Sequence, residues 1–108
     1  MSEVSCKFTS ATPEELKILD ERSERVALIL KTLAHPERLK ALCQLAEGEK
    51  PVALLQQLSN LSPSALSQHL AVLRNNDIIQ MRKESQCVFY SIKDERIYAL
   101  LNAMDSCL

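Results

Sequence analysis

The spacing of apolar positions predicts helices over most of the chain. Five apolar residues between positions 16 and 33 recur at spacings of three, four or seven, which places them near one helical face: Leu16, Leu19, Val26, Leu30 and Leu33. Within that segment Val26–Leu30 is apolar nearly all round, so we expect this helix to bury two faces. A threonine followed by Pro13 and two acids predicts its N-terminus. His35-Pro36 ends it, because the residue before a proline is displaced from helical backbone angles.

Three further helices follow before the pattern changes. The second ends at Gly48. Its predicted apolar face consists of Leu39, Leu42, Cys43 and Ala46. A short third helix begins at Pro51 and runs to Leu58, and Ser62 caps a fourth helix that extends to about Asn75. The predicted core residues of this fourth helix are Leu66, Leu70 and Leu73. Two helices joined by a tight turn are typical of a helix-turn-helix.

After the fourth helix, apolar positions recur every second residue, as in a strand. Ile78–Lys83 and Gln86–Ile92 alternate as two strands around a turn at Glu84-Ser85. A last helix, capped near Asp94, continues to the end of the sequence. We therefore predict a mostly α fold with a β-hairpin, a winged helix-turn-helix of five helices and a two-stranded wing. Residues 12–108 are predicted to form this domain and residues 1–11 a flexible N-terminal tail.

Composition narrows the class of protein. The 108 residues are 46% hydrophobic and 25% charged, with a single glycine, which are globular and helical proportions. The apolar runs are too short to span a bilayer and residues 1–10 lack an apolar export segment, so we expect a cytoplasmic protein with no membrane partner. The sequence offers no nucleophile–base pair and no glycine-rich phosphate loop, so we do not expect an enzyme.

The distribution of charge favours DNA as the partner. Net charge is only −1, yet Pro51–Leu73 contains no charged residue and is rich in Gln, Ser and Asn. Neutral hydrogen-bonding side chains suit base edges in the major groove. The candidate DNA-reading residues are Ser64, Ser67, Gln68 and His69. The candidate phosphate contacts are Arg74, Arg82 and Lys83.

Plainer interpretations of the same residues stay open. The polar face is also typical of an ordinary helix hairpin in a protein-interaction domain, which would lack the salt-dependent DNA affinity of a phosphate-binding protein. His69 by itself favours a packing or capping role over a base contact.

Four cysteines carry the remaining chemistry: Cys6, Cys43, Cys87 and Cys107. None belongs to a Cys-x-x-Cys pair, so the sequence lacks a zinc knuckle or thioredoxin-like motif. A reducing cytosol disfavours static disulfides. Each of them, including Cys43, is also compatible with a purely structural role as a small, buried hydrophobic residue. We assign no role beyond structure to Cys87 and none to Cys6.

Three linked motifs resemble the ArsR/SmtB family of winged-helix repressors. They are Leu33–Leu39, Ser64–Arg74 and Arg82–Ile92, and the likeness extends over about residues 16–108. The resemblance implies a homodimer joined through the first and last helices, a fourth helix that reads a palindromic operator in double-stranded DNA, and an inducer that releases it.

The resemblance also constrains the inducer. The metal-sensing branches carry Cys-x-Cys on the third helix or histidines on the last. Here Pro51–Leu55 has no thiol and the last helix has no histidine, so we predict neither a metal site there nor a cofactor. Cys43 and Cys107 match the two thiols of the dithiol-sensing, BigR/SqrR/HlyU-like branch. That match implies that a persulfide, a polysulfide or an oxidant bridges them and lowers DNA affinity.

A metal-responsive repressor is the alternative to this dithiol switch. It would use cysteine thiolates, with Cys6 or Cys87 recruited from the other subunit.

Overall fold

The computed structural model describes residues 12–107, with their side chains up to residue 105. This range contains five helices: α1 (Pro13–Leu33), α2 (Pro36–Leu45), α3 (Val52–Gln57), α4 (Pro63–Asn75) and α5 (Arg96–Cys107). It also contains three strands: β1 (Lys50–Pro51), β2 (Ile79–Glu84) and β3 (Cys87–Ile92). The predicted flexible tail, residues 1–11, lies outside the described residues.

The described residues fall into two compact units. The first ends at Lys31 and holds most of α1, and the second begins at Thr32. A reciprocal pair of hydrogen bonds starts α1: the backbone N–H of Glu15 donates to Thr12 Oγ1 at 3.3 Å, and that of Thr12 donates to the Glu15 carboxylate at 3.0 Å. Large apolar side chains along α1 are 45–55% exposed in the single chain, namely Leu16, Ile18, Val26, Leu28 and Leu30.

The core of the second unit is aliphatic, as the composition predicts. Its side chains with less than 2% exposure are Leu42, Leu45, Leu55, Leu70, Leu73, Ile78, Ile79 and Ile97. On α2 the buried residues are Ala41, Leu42 and Leu45, whereas Cys43 is exposed. The sequence-based placement of Cys43 on the apolar face of α2 was therefore wrong. Successive residues differ by about 100° around a helix, so Cys43 lies about 200° from buried Ala41, on the side of α2 away from the core.

The sheet has one strand more than the predicted hairpin. Its order is β1-β3-β2, with Lys50 opposite Tyr90 and Pro51 opposite Phe89. In the hairpin Glu84 pairs with Cys87, so the turn is Ser85-Gln86, one residue later than predicted. Ser85 takes a left-handed φ of 56° to make this two-residue connection.

Local hydrogen bonds place the wing directly after α4. The N–H of Ile78 donates to the Leu73 carbonyl at 3.0 Å and that of Asp77 to the Arg74 carbonyl at 3.0 Å, while Asp77 adopts a left-handed φ of 58°. This pattern satisfies the last carbonyls of the helix and reverses the chain. It turns Ile78 and Ile79 into the core, and β2 starts at once.

Candidate nucleic-acid interface and cysteine sites

The connection between α3 and α4 is held by side chains. Gln56 Nε2 donates to the Leu61 carbonyl at 2.7 Å, and the Leu61 N–H donates to Ser59 Oγ at 3.0 Å. Ser62 is the N-cap of α4, as predicted, and its Oγ accepts from the Ala65 N–H at 3.2 Å. These bonds fix the angle at which α4 leaves the turn.

The outer face of α4 is polar and uncharged. Leu66, Leu70 and Leu73 are buried against the core, as predicted. Ser64, Ser67 and Gln68 are exposed on the opposite side. Arg74, also exposed, lies in the last turn of the helix. The structure thus presents neutral hydrogen-bonding groups with a cation at one end.

His69 is engaged inside the protein. It is half-buried, and its Nδ1 accepts a hydrogen bond of 3.1 Å from Arg38 Nε. Arg38 also donates from its NH1 nitrogen to the Thr32 carbonyl at 2.8 Å. The His35 ring lies 6.0 Å from that of His69, centroid to centroid. Sequence reasoning did not link Arg38 to His69, because a contact across 31 residues has no local pattern.

The basic residues of the wing lie on two sides of β2. The Arg74 guanidinium donates to Met81 Sδ at 3.1 Å, which joins the end of α4 to this strand. Lys83, two residues after Met81, is exposed and has no ion-pair partner among residues 12–105. Because side chains alternate along a strand, Lys83 shares the side of Met81 and Arg82 lies on the other.

Arg82 has three partners within the protein, although its side chain is half exposed. It binds both carboxylate oxygens of Glu49, at 2.6 Å from NH2 and 2.8 Å from Nε, and donates to Glu84 at 2.6 Å from NH1. Its guanidinium also lies 4.5 Å from the Phe89 ring centroid. The Arg82 hydrogen bonds lower the pKa of Glu49, and the two carboxylates raise the pKa of Arg82. Glu49 was not a sequence-based candidate.

The cysteines occupy separate elements. Cys43 is an exposed free thiol on α2, and Cys87 is an exposed free thiol on β3, opposite Glu84. Cys107 is the last residue of α5, and its side chain lies outside the described residues, as does all of Cys6. A cation close to a cysteine favours its thiolate form. Arg38 and Lys40 are close to Cys43 in sequence, but Arg38 binds His69 and Lys40 binds Glu37 at 3.2 Å.

In the described part of the chain, no three side chains of His, Cys, Asp or Glu lie together as a metal site. Among the helices between residues 12 and 107, none combines the length and the apolar character that crossing a membrane requires.

Comparison with known proteins gives consistent matches. Residues 35–81 match the family described as "Bacterial regulatory protein, arsR family". The chain is 35% identical to the transcriptional activator HlyU of Vibrio cholerae over 90% of both chains. It is 38% identical to a biofilm growth-associated repressor of Agrobacterium fabrum, over 82% of this chain and 76% of the relative.

Solved structures agree with these matches. The transcriptional repressor BigR from Xylella fastidiosa superposes with a TM-score of 0.79 at 36% identity, covering 85% of this chain and 94% of BigR. Reduced HlyU from V. cholerae superposes with a TM-score of 0.78 at 35% identity, covering 84% of this chain and 96% of HlyU. The predicted winged-helix class, mostly α with a small antiparallel sheet, is confirmed.

Proposed function

Because the chain belongs to the ArsR family of bacterial regulatory proteins, whose members bind DNA to regulate transcription, we propose that it is a repressor that a two-cysteine switch releases from its operator. The observation that carries the DNA-binding part is the uncharged polar face of α4, on which Ser64, Ser67 and Gln68 are exposed. Such a helix, following a short helix and a tight turn, fits the major groove.

Each side chain of this interface has a proposed task. Gln68 can hydrogen-bond adenine with both ends of its amide, and Ser64 and Ser67 can bond several bases. Arg74, at the end of the helix, and Lys83, on the wing, are proposed phosphate contacts that set the register. Since Arg38 occupies Nδ1 of His69, only Nε2 of that ring is left to meet DNA.

A homodimer is the proposed DNA-binding form. Members of the family typically bind DNA as dimers. The exposed apolar residues of α1 support a partner subunit, and we propose that α1 and α5 form the interface. Two copies of α4 related by a dyad would then meet half-sites about 34 Å apart.

Exposure of Cys43 supports the proposed switch. A sulfur species can reach this thiol on the surface of α2. Cys43 and Cys107 are the proposed responding pair because they match the two thiols of the BigR/SqrR/HlyU-like branch, and the chain is similar to BigR and to reduced HlyU. A covalent link between α2 and α5 would tie a helix next to the DNA-reading motif to a dimerisation helix, in a geometry unsuited to the operator.

The proposed inducer is a persulfide or a polysulfide. A cysteine thiolate attacks the sulfur–sulfur bond of a persulfide, RSSH, takes up its outer sulfur and releases RSH. In balance, two cysteine thiols and two RSSH give one trisulfide bridge, two RSH and one H2S, the second RSSH serving as the oxidant. A disulfide needs Cα atoms within about 7 Å, so a longer sulfur bridge would close where the two thiols are held farther apart.

DNA binding is tested by titrating the protein into a labelled duplex at several salt concentrations. Phosphate contacts require log K to fall linearly with log[salt], with a slope of about −0.9 for each phosphate neutralised. A salt-independent or absent affinity would overturn the DNA-binding role and favour a protein-interaction domain.

The switch is tested by treating the reduced protein with an organic persulfide and mapping the product by intact and peptide mass spectrometry. We expect a Cys43–Cys107 cross-link with added sulfur, together with loss of duplex binding. C43S and C107S should each block both effects. C87S is the matched control, because it removes another exposed thiol and should leave both effects intact.

Two outcomes would contradict this proposal. Equally fast, complete closure of a Cys43–Cys107 disulfide by peroxide alone would remove the preference for sulfur species. Thiols left unmodified by the persulfide would overturn the switch, and a stoichiometric metal titration would then support thiolate-based metal sensing.

A further inference from the structure

Arg82 bridges the whole width of the sheet. Arg82 of β2 pairs with Phe89 of β3, and Phe89 pairs on its other side with Pro51 of β1. The guanidinium passes over the Phe89 ring, 4.5 Å from its centroid, and reaches Glu49, which immediately precedes β1. The contact with Glu49 is bidentate, the geometry in which a planar guanidinium holds a carboxylate in one orientation.

The local charge around Arg82 is unsuited to a phosphate. One guanidinium faces two carboxylates, Glu49 and Glu84, both within 2.6 Å of its nitrogens. The cluster therefore carries a net negative charge. Lys83, on the opposite side of the strand, shares the side of Met81, which contacts Arg74 at the end of α4.

We propose that Arg82 is a positioning residue, which with Glu49 anchors the wing to the loop between α2 and β1, and that Lys83 supplies the wing's phosphate contact. This inference rests on the proposed DNA binding. Glu49 lies four residues after Leu45, the last residue of α2. The anchor thus ties the wing to the segment that follows the helix of Cys43.

The anchor is tested with variants matched in charge. E49Q removes one negative charge and the bidentate ion pair with Arg82, because an amide offers a single acceptor oxygen. E47Q removes the same charge from the same loop, where Glu47 is 76% exposed and pairs with Lys50 instead. R82K keeps the positive charge but cannot form the bidentate contact. K83Q removes the proposed phosphate contact. Each is titrated into a random-sequence duplex over a range of salt, and hydrogen exchange is followed at the wing amides, residues 80–91.

An anchoring role predicts that E49Q binds the duplex about two- to fivefold more weakly than E47Q, the size of effect expected for one partly exposed ion pair. R82K should weaken binding by a similar factor although its charge is retained. Wing amides should exchange faster in E49Q and R82K and at the wild-type rate in E47Q. The salt slope should stay at the wild-type value in R82K, whereas K83Q should lower its magnitude by about 0.9.

The opposite result identifies a competing role. If Arg82 contacts phosphate and Glu49 merely masks it, E49Q binds more tightly than E47Q with a steeper salt slope, and R82K retains wild-type affinity. Unchanged exchange at the wing amides in both E49Q and R82K would also overturn the anchor. A wild-type protein without duplex affinity would refute the DNA-binding role itself, while the exchange data would still decide whether the pair orders the wing.

Discussion

Arg38 Nε donates a hydrogen bond of 3.1 Å to His69 Nδ1 and so joins α2 to α4. The same guanidinium donates to the Thr32 carbonyl at 2.8 Å. Since α2 also carries Cys43, this bond connects the helix of the proposed switch with the helix of the proposed base contacts. A change in the position of α2 would therefore act directly on α4.

Replacing Arg38 should measure what this connection contributes to the fold. R38M keeps an unbranched side chain but removes the donor to both acceptors, so we expect the free energy of unfolding to fall by about 1–2 kcal/mol. K40M is the matched control, because Lys40 is half exposed on the same helix and makes only an i,i+3 pair with Glu37. Its effect should stay within about 0.5 kcal/mol. Urea denaturation measures both, and equal stability of R38M and K40M would contradict a structural role for the Arg38 bonds.

Substitutions on α4 should separate base contacts from phosphate contacts. Q68A removes a neutral base-reading group, so we expect it to weaken binding to a duplex selected from a random library by about 1–3 kcal/mol while leaving random duplexes unaffected. R74Q should weaken both duplexes and lower the magnitude of the salt slope by about 0.9. Fluorescence anisotropy against the two duplexes gives all four affinities. Equal losses of selected and random binding in Q68A would refute base reading by Gln68.

The start of α5 should respond to pH through Asp94. Its carboxylate accepts from the Arg96 guanidinium at 2.7 Å and from the Arg96 backbone N–H at 3.0 Å, and these bonds hold the pKa of Asp94 below its ordinary value of 3.8. A lowered folded-state pKa means that the charged form adds stability above the ordinary value, and that this stability is lost as pH falls through the folded value.

We therefore expect D94N to be less stable than wild type from pH 5 to pH 7, with the difference shrinking as pH falls below 4. Thermal unfolding across this pH range measures it. E95Q is the neighbouring control, because the Glu95 carboxylate makes no hydrogen bond within residues 12–105. A constant deficit of D94N at every pH would show that ionisation of Asp94 is not the source of this stability.

The sequence correctly predicted those features of the fold that depend on residues close together along the chain. The leucines of α4 recur at helical spacing and are buried, and Ser62 followed by Pro63 caps that helix. Both features follow from interactions within one or two helical turns, which a single sequence displays.

Features that depend on distant residues were missed. β1 exists because Lys50 and Pro51 pair with Tyr90 and Phe89, about forty residues away, and two residues show no alternation. The Arg82–Glu49 pair spans 33 residues, so no local pattern in the sequence indicates that Arg82 is ion-paired. The predicted burial of Cys43 was wrong for a different reason. A shift of one position along a helix is enough to move a side chain from the core to the surface.

The apolar surface of α1 should be a subunit interface. Val26, Leu28 and Leu30 are 47–55% exposed in the single chain, and a partner subunit would remove this area from water. We expect sedimentation equilibrium to give twice the mass of one chain. L30E should raise the dimer dissociation constant about a hundredfold or more, because each dimer loses two buried leucines worth at least about 1.5 kcal/mol each. S23E introduces the same side chain at a polar position of α1 and should remain dimeric, while circular dichroism checks that both variants keep their helices. A monomeric wild type, or a dimer indifferent to L30E, would exclude this surface, and with it the two-half-site arrangement proposed for the operator.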